Sequence, residues 1–152
     1  MADAQVERIA FENGRMVRSP VLVLVHVVRA VRQRRPFLPP SLDARLCDLL
    51  GRKAGDAGSH VLAAGCASDH VHVVVRLDPN APLSEVIRRM KGGSAYELKH
   101  EGALPERFAW QHRYWAQSLA PEDLRAVAQY VQRQREHHSR PQASEPWTIS
   151  EP

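Results

Sequence analysis

The sequence predicts an α+β fold of ferredoxin-like β-α-β-β-α-β order: an antiparallel sheet covered on one face by two helices and followed by a further C-terminal helix. Three observations predict it. Four runs rich in β-branched, small apolar or aromatic residues stand at 21–31, 60–67, 69–77 and 108–119. Two stretches with apolar residues at helical spacing, 42–55 and 82–99, fall between the first and second runs and between the third and fourth. The two middle runs are joined by a tight turn, which makes them a hairpin.

Residues 1–20 are mixed in polarity, show no sustained period and end in the breaker pair Ser19-Pro20, so they read as a loose lead-in. VLVLVHVVRAV at 21–31 reads as a central strand buried on both faces. The loop RQRRPFLPP at 32–40 is basic and punctuated by proline, and fits either a solvated charge cluster or a set of phosphate contacts. Ser41 is placed to cap the helix over 42–55, where Leu42, Leu46, Leu49 and Leu50 share a face. The strands 60–67 and 69–77 follow, and Asp78-Pro79-Asn80 ends the second of them.

The helix over 82–99 has Ser84 as a candidate cap and repeats Leu83, Val86, Ile87 and Met90 at helix spacing. Gly92 and Gly93 weaken it by about 1 kcal/mol each relative to Ala, and would let a backbone or a phosphate come close. FAWQHRYWAQSL at 108–119 reads as a strand or short hairpin; Trp110, Tyr114 and Trp115 suit core and edge packing, or stacking on unpaired bases. The last helix covers 121–138, with Pro121 at its first position and Glu122 and Asp123 in its first turn. Residues 139–152, rich in Pro, Ser and Glu, are expected to be disordered, leaving 21–138 as one domain.

A chain of 152 residues suits one domain with a real core. Its net charge of +4, with Arg far outnumbering Lys, points to an anionic partner and favours phosphate over an acidic protein. Cys47 and Cys66 have no CxxC or CxxH company, which argues against a zinc finger or a disulfide scaffold; both read as small buried hydrophobes. The apolar run at 21–28 is interrupted by His26 and falls short of the roughly 20 residues a membrane span needs. With no charged leader before a cleavage site, a cytoplasmic protein without membrane contact is expected.

The third strand carries His70 and His72 around Val71. Successive side chains on a strand alternate faces, so the two imidazoles share one, with Cα atoms about 6.6 to 6.8 Å apart. That spacing lets the rings converge on one metal ion or one phosphate, although an HxH pair alone is commonly surface or core histidine. On the last helix, at about 100° per residue, Leu124, Val127, Ala128 and Val131 form an apolar stripe, and Tyr130 and Gln134 sit one turn apart on its flank. A tyrosine and a glutamine beside a buried stripe are ordinary helix design. Together with the histidines, they supply two imidazoles and an amide oxygen as neutral ligands for a divalent ion, with a phenol beside it as nucleophile.

Asp69-His70-Val71-His72, Leu83-Ser84 through Met90-Lys91-Gly92, Phe108-Ala109-Trp110-Gln111 and Tyr130 through Gln134 occur in that order. This combination resembles the single-tyrosine HUH transposases of bacterial insertion sequences and their relatives associated with REP repeats. The resemblance covers residues 21–138. Arg113 stands where members usually carry glycine, and Met90 replaces the usual apolar residue before Lys91-Gly92.

The resemblance implies a transposase that cuts and rejoins single-stranded DNA through a 5′-phosphotyrosine at Tyr130. It further implies Mg²⁺ or Mn²⁺ held by His70, His72 and Gln134. An unperturbed phenol, with a pKa of about 10, needs the ion or a cation such as Arg88 or Arg133 to favour its phenolate. Arg32, Arg34, Arg35, Arg88, Arg89, Lys91, Arg113 and Arg133 are the candidate contacts to an imperfect DNA hairpin. A homodimer is expected, in which the tyrosine helix can act in trans, the Leu119-Ala120-Pro121 stretch being flexible enough to allow it. Two other readings stand beside this one: a non-catalytic single-stranded nucleic-acid-binding protein on the same fold, and a metal-dependent hydrolase in which water attacks.

Overall fold

The computed structural model describes residues 11–12, 15–16 and 21–137. A short antiparallel pair, β1 (Phe11–Glu12) and β2 (Arg15–Met16), lies within the stretch expected to be a loose lead-in. The main sheet is built from β3 (Leu24–Ala30), β4 (His60–Cys66), β5 (His70–Arg76) and β6 (Trp115–Leu119) in the antiparallel order β4-β5-β3-β6. The helices are α1 (Asp43–Gly55), α2 (Leu83–His100), α3 (Leu124–Gln132) and α4 (Gln134–His137). The order β3-α1-β4-β5-α2-β6 is the ferredoxin-like arrangement, with α3 added after it.

The sheet has a different partner on each face, and the alternation of side chains along each strand assigns them. Val25, Val27 and Val31 from β3 and its continuation, and Val71, Val73 and Val75 from β5, face α1 and α2. They close a core there with Leu46, Leu49, Leu50, Val86, Ile87, Met90 and Leu98. Leu24, Ala63 and Val74 point the other way and meet Leu124 and Val131 of α3. Every residue of β3 is consequently buried, His26 and Arg29 included. Each such aliphatic side chain contributes about 1.5–3 kcal/mol by leaving water, so both faces hold their helices firmly.

Several local expectations shift. Ser41 does not cap α1: a 3₁₀ turn over Pro40–Leu42 leads into the helix, and no side chain caps its first turn. Ser84 lies inside α2, which follows Pro82. Only Trp115–Leu119 of the 108–119 stretch is a strand. Before it, Trp110 makes a single bridge to Val31 and turns into the core beside Phe108, where its indole N–H donates to Ser94 Oγ at 3.2 Å. Burial of these two large rings overrides their strand preference.

The last helix is not continuous. A 3₁₀ turn over Pro121–Asp123 precedes α3, and Arg133, with φ −103° and ψ 24°, separates α3 from α4. Of the glycine pair in α2, a Cβ on Gly93 would meet the stem of Lys53 in α1, whereas Gly92 faces open space. Gly93 therefore serves helix packing. Cys66 is buried and Cys47 half-buried, with their sulfurs 3.9 Å apart. No described helix is long and apolar enough to cross a membrane. The tail at 139–152 lies outside the described residues.

Candidate active site

His70 and His72 are wholly buried on the face of β5 that looks toward α3, with ring centroids 5.1 Å apart. Their Nδ1 atoms are both engaged. Asp69 Oδ1 lies 2.6 Å from His70 Nδ1, and His26 Nε2 lies 2.9 Å from His72 Nδ1. Engagement at Nδ1 makes Nε2 the nitrogen each ring offers a ligand, as in metal sites where the second ring nitrogen is held by the protein.

The charges agree with that assignment. Burial opposes ionisation of Asp69, but hydrogen bonds from His70 and from Arg34, whose Nε is 2.9 Å from Oδ2, outweigh it and hold the carboxyl at about 2. Asp69 is therefore an anion that orients His70. Burial lowers His26 to about 4, so above that pH its ring is neutral and can accept a hydrogen bond from His72 Nδ1–H. A protonated His26 could only donate, which would force the His72 proton onto Nε2 and block the ligand position.

Opposite the histidines lies α3. The Tyr130 ring centroid stands 5.6 Å from that of His72 and 6.4 Å from that of His26, both nearly edge-on. Gln134 is fully buried and its Nε2 donates to the Tyr130 carbonyl at 3.1 Å across the break at Arg133. Its Oε1 is the end a cation would take. A glycine brings the helix this close: a Cβ at Gly65 would lie 1.7 Å from the Val131 carbonyl oxygen. Gly65 pairs with His72 in the sheet, so α3 crosses β4 directly beside the site.

Among the described residues no group of three or more His, Cys, Asp or Glu is arranged to hold a metal. The candidate set is instead two imidazoles and one amide oxygen, because His26 is committed to His72. Two nitrogens and one neutral oxygen fit a divalent ion that keeps open positions for water or phosphate.

The basic candidates scatter. Arg88 and Arg89 are exposed on α2 and both bind Glu85, at 2.8 and 2.9 Å. Since α2 covers the opposite face of the sheet, Arg88 is not the cation beside Tyr130. Arg34 is tied to Asp69. Arg32, Arg35, Arg113 and Arg133 are exposed and Lys91 is half-buried. Sequence reasoning missed three contributors: His26, Gly65 and the orienting role of Asp69. The lone polar residue in an otherwise apolar run was the available signal for His26. Nothing local announces Gly65, whose partner lies far along the chain.

The family model for IS200-like transposases matches residues 21–134. No curated protein sequence matches the chain. Among solved structures, a candidate transposase from Deinococcus radiodurans superposes with a TM-score of 0.59 at 22% identity, covering 82% of this chain and 98% of that one. A REP-associated tyrosine transposase bound to a REP hairpin superposes with a TM-score of 0.57 at 18% identity, covering 77% of this chain and 69% of that one. These likenesses confirm the fold. With the family model spanning most of its length, and the HxH strand and tyrosine helix inside that span, the chain belongs to the IS200-like transposase family.

Proposed function

We propose that this protein cleaves and rejoins single-stranded DNA at imperfect hairpins, with Tyr130 as nucleophile and a divalent ion, Mg²⁺ or Mn²⁺, held by His70, His72 and Gln134. The observation that carries the reading is the placement of the Tyr130 ring 5.6 Å from His72, on a helix docked over the buried histidine pair. Bound there, the ion would polarise the scissile phosphate and offset the charge that builds in the displacement.

The chain's own residues do the rest. Asp69 and His26 hold the two imidazoles in one tautomer each, and the Gly65 contact fixes the height of α3 above them. Tyr130 Oη, having lost its proton, forms a bond to phosphorus as the bond to the 3′ oxygen breaks. The products are a 5′-phosphotyrosine and a free 3′-OH. Attack by another 3′-OH on the same phosphorus reverses the step and releases Tyr130, so joining needs no nucleotide hydrolysis. A homodimer belongs to this reading, and docking of α3 on its own β4 supports a site completed within one chain.

The test is incubation with labelled single-stranded DNA carrying imperfect hairpins from the ends of its own locus, with Mn²⁺ or with EDTA, followed by a denaturing protein gel. A metal-dependent DNA-linked band that disappears in Tyr130→Phe is expected. Cleavage that survives Tyr130→Phe would assign attack to water, and binding without cleavage would leave a non-catalytic binder.

A further inference from the structure

The loop after β3 forms one wall of a cleft of about 260 Å³, lined by Arg32, Gln33, Arg35, Phe37, Arg107 and Ala109. The other wall is the segment before Trp110, and the Arg32 N–H to Ala109 carbonyl bond of 2.8 Å ties the two together. Three of the six lining side chains are cations. None of the three makes an ion pair among the described residues, whereas Arg45, Arg88, Arg89 and Arg135 all find carboxylates. The guanidinium of Arg107 lies 5.2 Å from the Phe37 ring centroid, so an aromatic face and a planar cation stand together in the cleft.

The loop is held in an unusual shape. Gln33 and Arg34 both adopt positive φ, 57° and 52°, which costs non-glycine residues energy and persists only where the surroundings impose it. What imposes it here is visible on both sides. Arg34 reaches Asp69, the carboxylate that orients His70, while Arg35 Nε donates to Gln33 Oε1 at 3.1 Å. The left-handed pair thus sends Arg34 toward the histidines and leaves Arg32 and Arg35 on the cleft. The positive field extends further, since burial, followed by the nearness of Arg29 and Arg32, lowers the Lys91 amine.

We propose that this cleft binds one nucleotide of the single-stranded DNA, its phosphate on Arg32 and Arg35 and its base against Phe37 and Arg107. Arginines with no carboxylate partner among the described residues match a phosphodiester, and an aromatic ring with a stacked guanidinium matches the π-face of an unpaired base. The volume lies just below the usual range for small-molecule pockets, which suits a single nucleotide rather than a run of them. Arg34, between the cleft residues Gln33 and Arg35, binds Asp69, which in turn holds His70, so one loop serves both the cleft and the histidine site. This inference rests on the strand-transfer reading.

The test is fluorescence-anisotropy binding of a short labelled oligothymidylate to the full chain over a range of salt concentrations, with EDTA present so that nothing is cut. Arg32→Gln should weaken binding and reduce the slope of log affinity against log salt by about 0.7, the value for one lost phosphate contact on a single strand. Arg107→Gln and Phe37→Leu remove the stacking pair and should each weaken binding, Phe37→Leu by roughly tenfold. Phe37 also packs on the core, which is why the exposed Arg107 carries that arm independently. Unchanged affinity and slope in Arg32→Gln and Arg107→Gln, with wild-type binding intact, would overturn the cleft assignment and leave the transposase reading standing. Absence of wild-type binding to the oligothymidylate would overturn the cleft assignment alone, and absence of binding to the hairpin-bearing strands as well would overturn both.

Discussion

Gly65→Ala is the sharpest probe of how the tyrosine helix is held. Gly65 has ordinary strand geometry, so an added methyl meets no backbone penalty. By unfolded-state entropy alone it would stabilise the protein by about 0.4–1 kcal/mol. The steric effect opposes this. The new Cβ would lie 1.7 Å from the Val131 carbonyl oxygen and 2.8 Å from its carbon, where real Cβ contacts do not fall below 3.0 Å. At least 3.0 − 1.7 = 1.3 Å of movement is needed, and both atoms in the way are helix backbone that cannot rotate aside.

Overpacking of this kind costs about 1–3 kcal/mol, which exceeds the entropic gain, and α3 yields because β4 is held in place by its ladder to β5. For a chain of this size each kcal/mol moves Tm by about 2–4 °C, so a fall of several degrees is expected. The functional effect should be larger. A displacement near 1 Å of a reacting group costs about 10²-fold in rate, and this one carries Tyr130 away from His72. Thermal melting and the rate of DNA–protein adduct formation measure the two effects. Gly51→Ala in α1, where nothing lies within 4 Å of the new methyl, serves as control and should raise Tm. If Gly65→Ala melted no lower than wild type and formed adduct at the wild-type rate, the contact would not be what seats the helix.

The remaining predictions concern the polar supports. Asp69→Asn keeps the shape beside His70 but loses the anion, and should weaken Mn²⁺ binding by about 10–100-fold in a calorimetric titration; unchanged affinity would remove Asp69 from the site. His26, lowered by burial to about 4 from 6.5, stays neutral in the folded chain while the unfolded chain takes up a proton. Stability should therefore fall as pH drops from about 6.5 toward 4, by no more than about 3 kcal/mol, and urea titrations of His26→Gln should lack that limb. Asp69, held at about 2 instead of 3.8, adds a second loss only below pH 3.8, as its carboxylate is protonated in the unfolded chain first.

How much of this could be read in advance depended on the range of the interaction. The sheet and α1 and α2 follow from periodicities contained within each segment, and the same alternation that put His70 and His72 on one face of β5 holds in the structure. The stretch at 108–119 failed because its aromatics have strand preference but find better burial under α2, through Ser94 and Val31, which no local pattern encodes. Tyr130 and Gln134 were legible as neighbours on a helix. Their separation by a break at Arg133 was not, and it is the break that lets Gln134 bury completely while Tyr130 stays half-buried. His26 was visible only as a flaw in an apolar run; its meaning depends on register, which sets Val28 opposite His72 and so brings the neighbouring His26 on the same face within 2.9 Å.

Register also explains why one face of the sheet can bury three histidines without losing stability. Along that face the residues change character from one end to the other. Leu24, Ala63 and Val74 make the apolar part, and His70 and His72, met by His26 from its place opposite Val74, the polar half. Burying an imidazole without a partner costs free energy, but here Asp69 supports His70, and His26 and His72 support each other, so the polar half is paired before any ligand arrives. The apolar half then does the docking. Leu124 and Val131 seat α3 on it, and Tyr130, one residue before Val131, packs at the edge of that cluster and turns its ring toward His72. A helix held by the histidines themselves would have to give up that contact to admit DNA; one held by valine and leucine next to them does not.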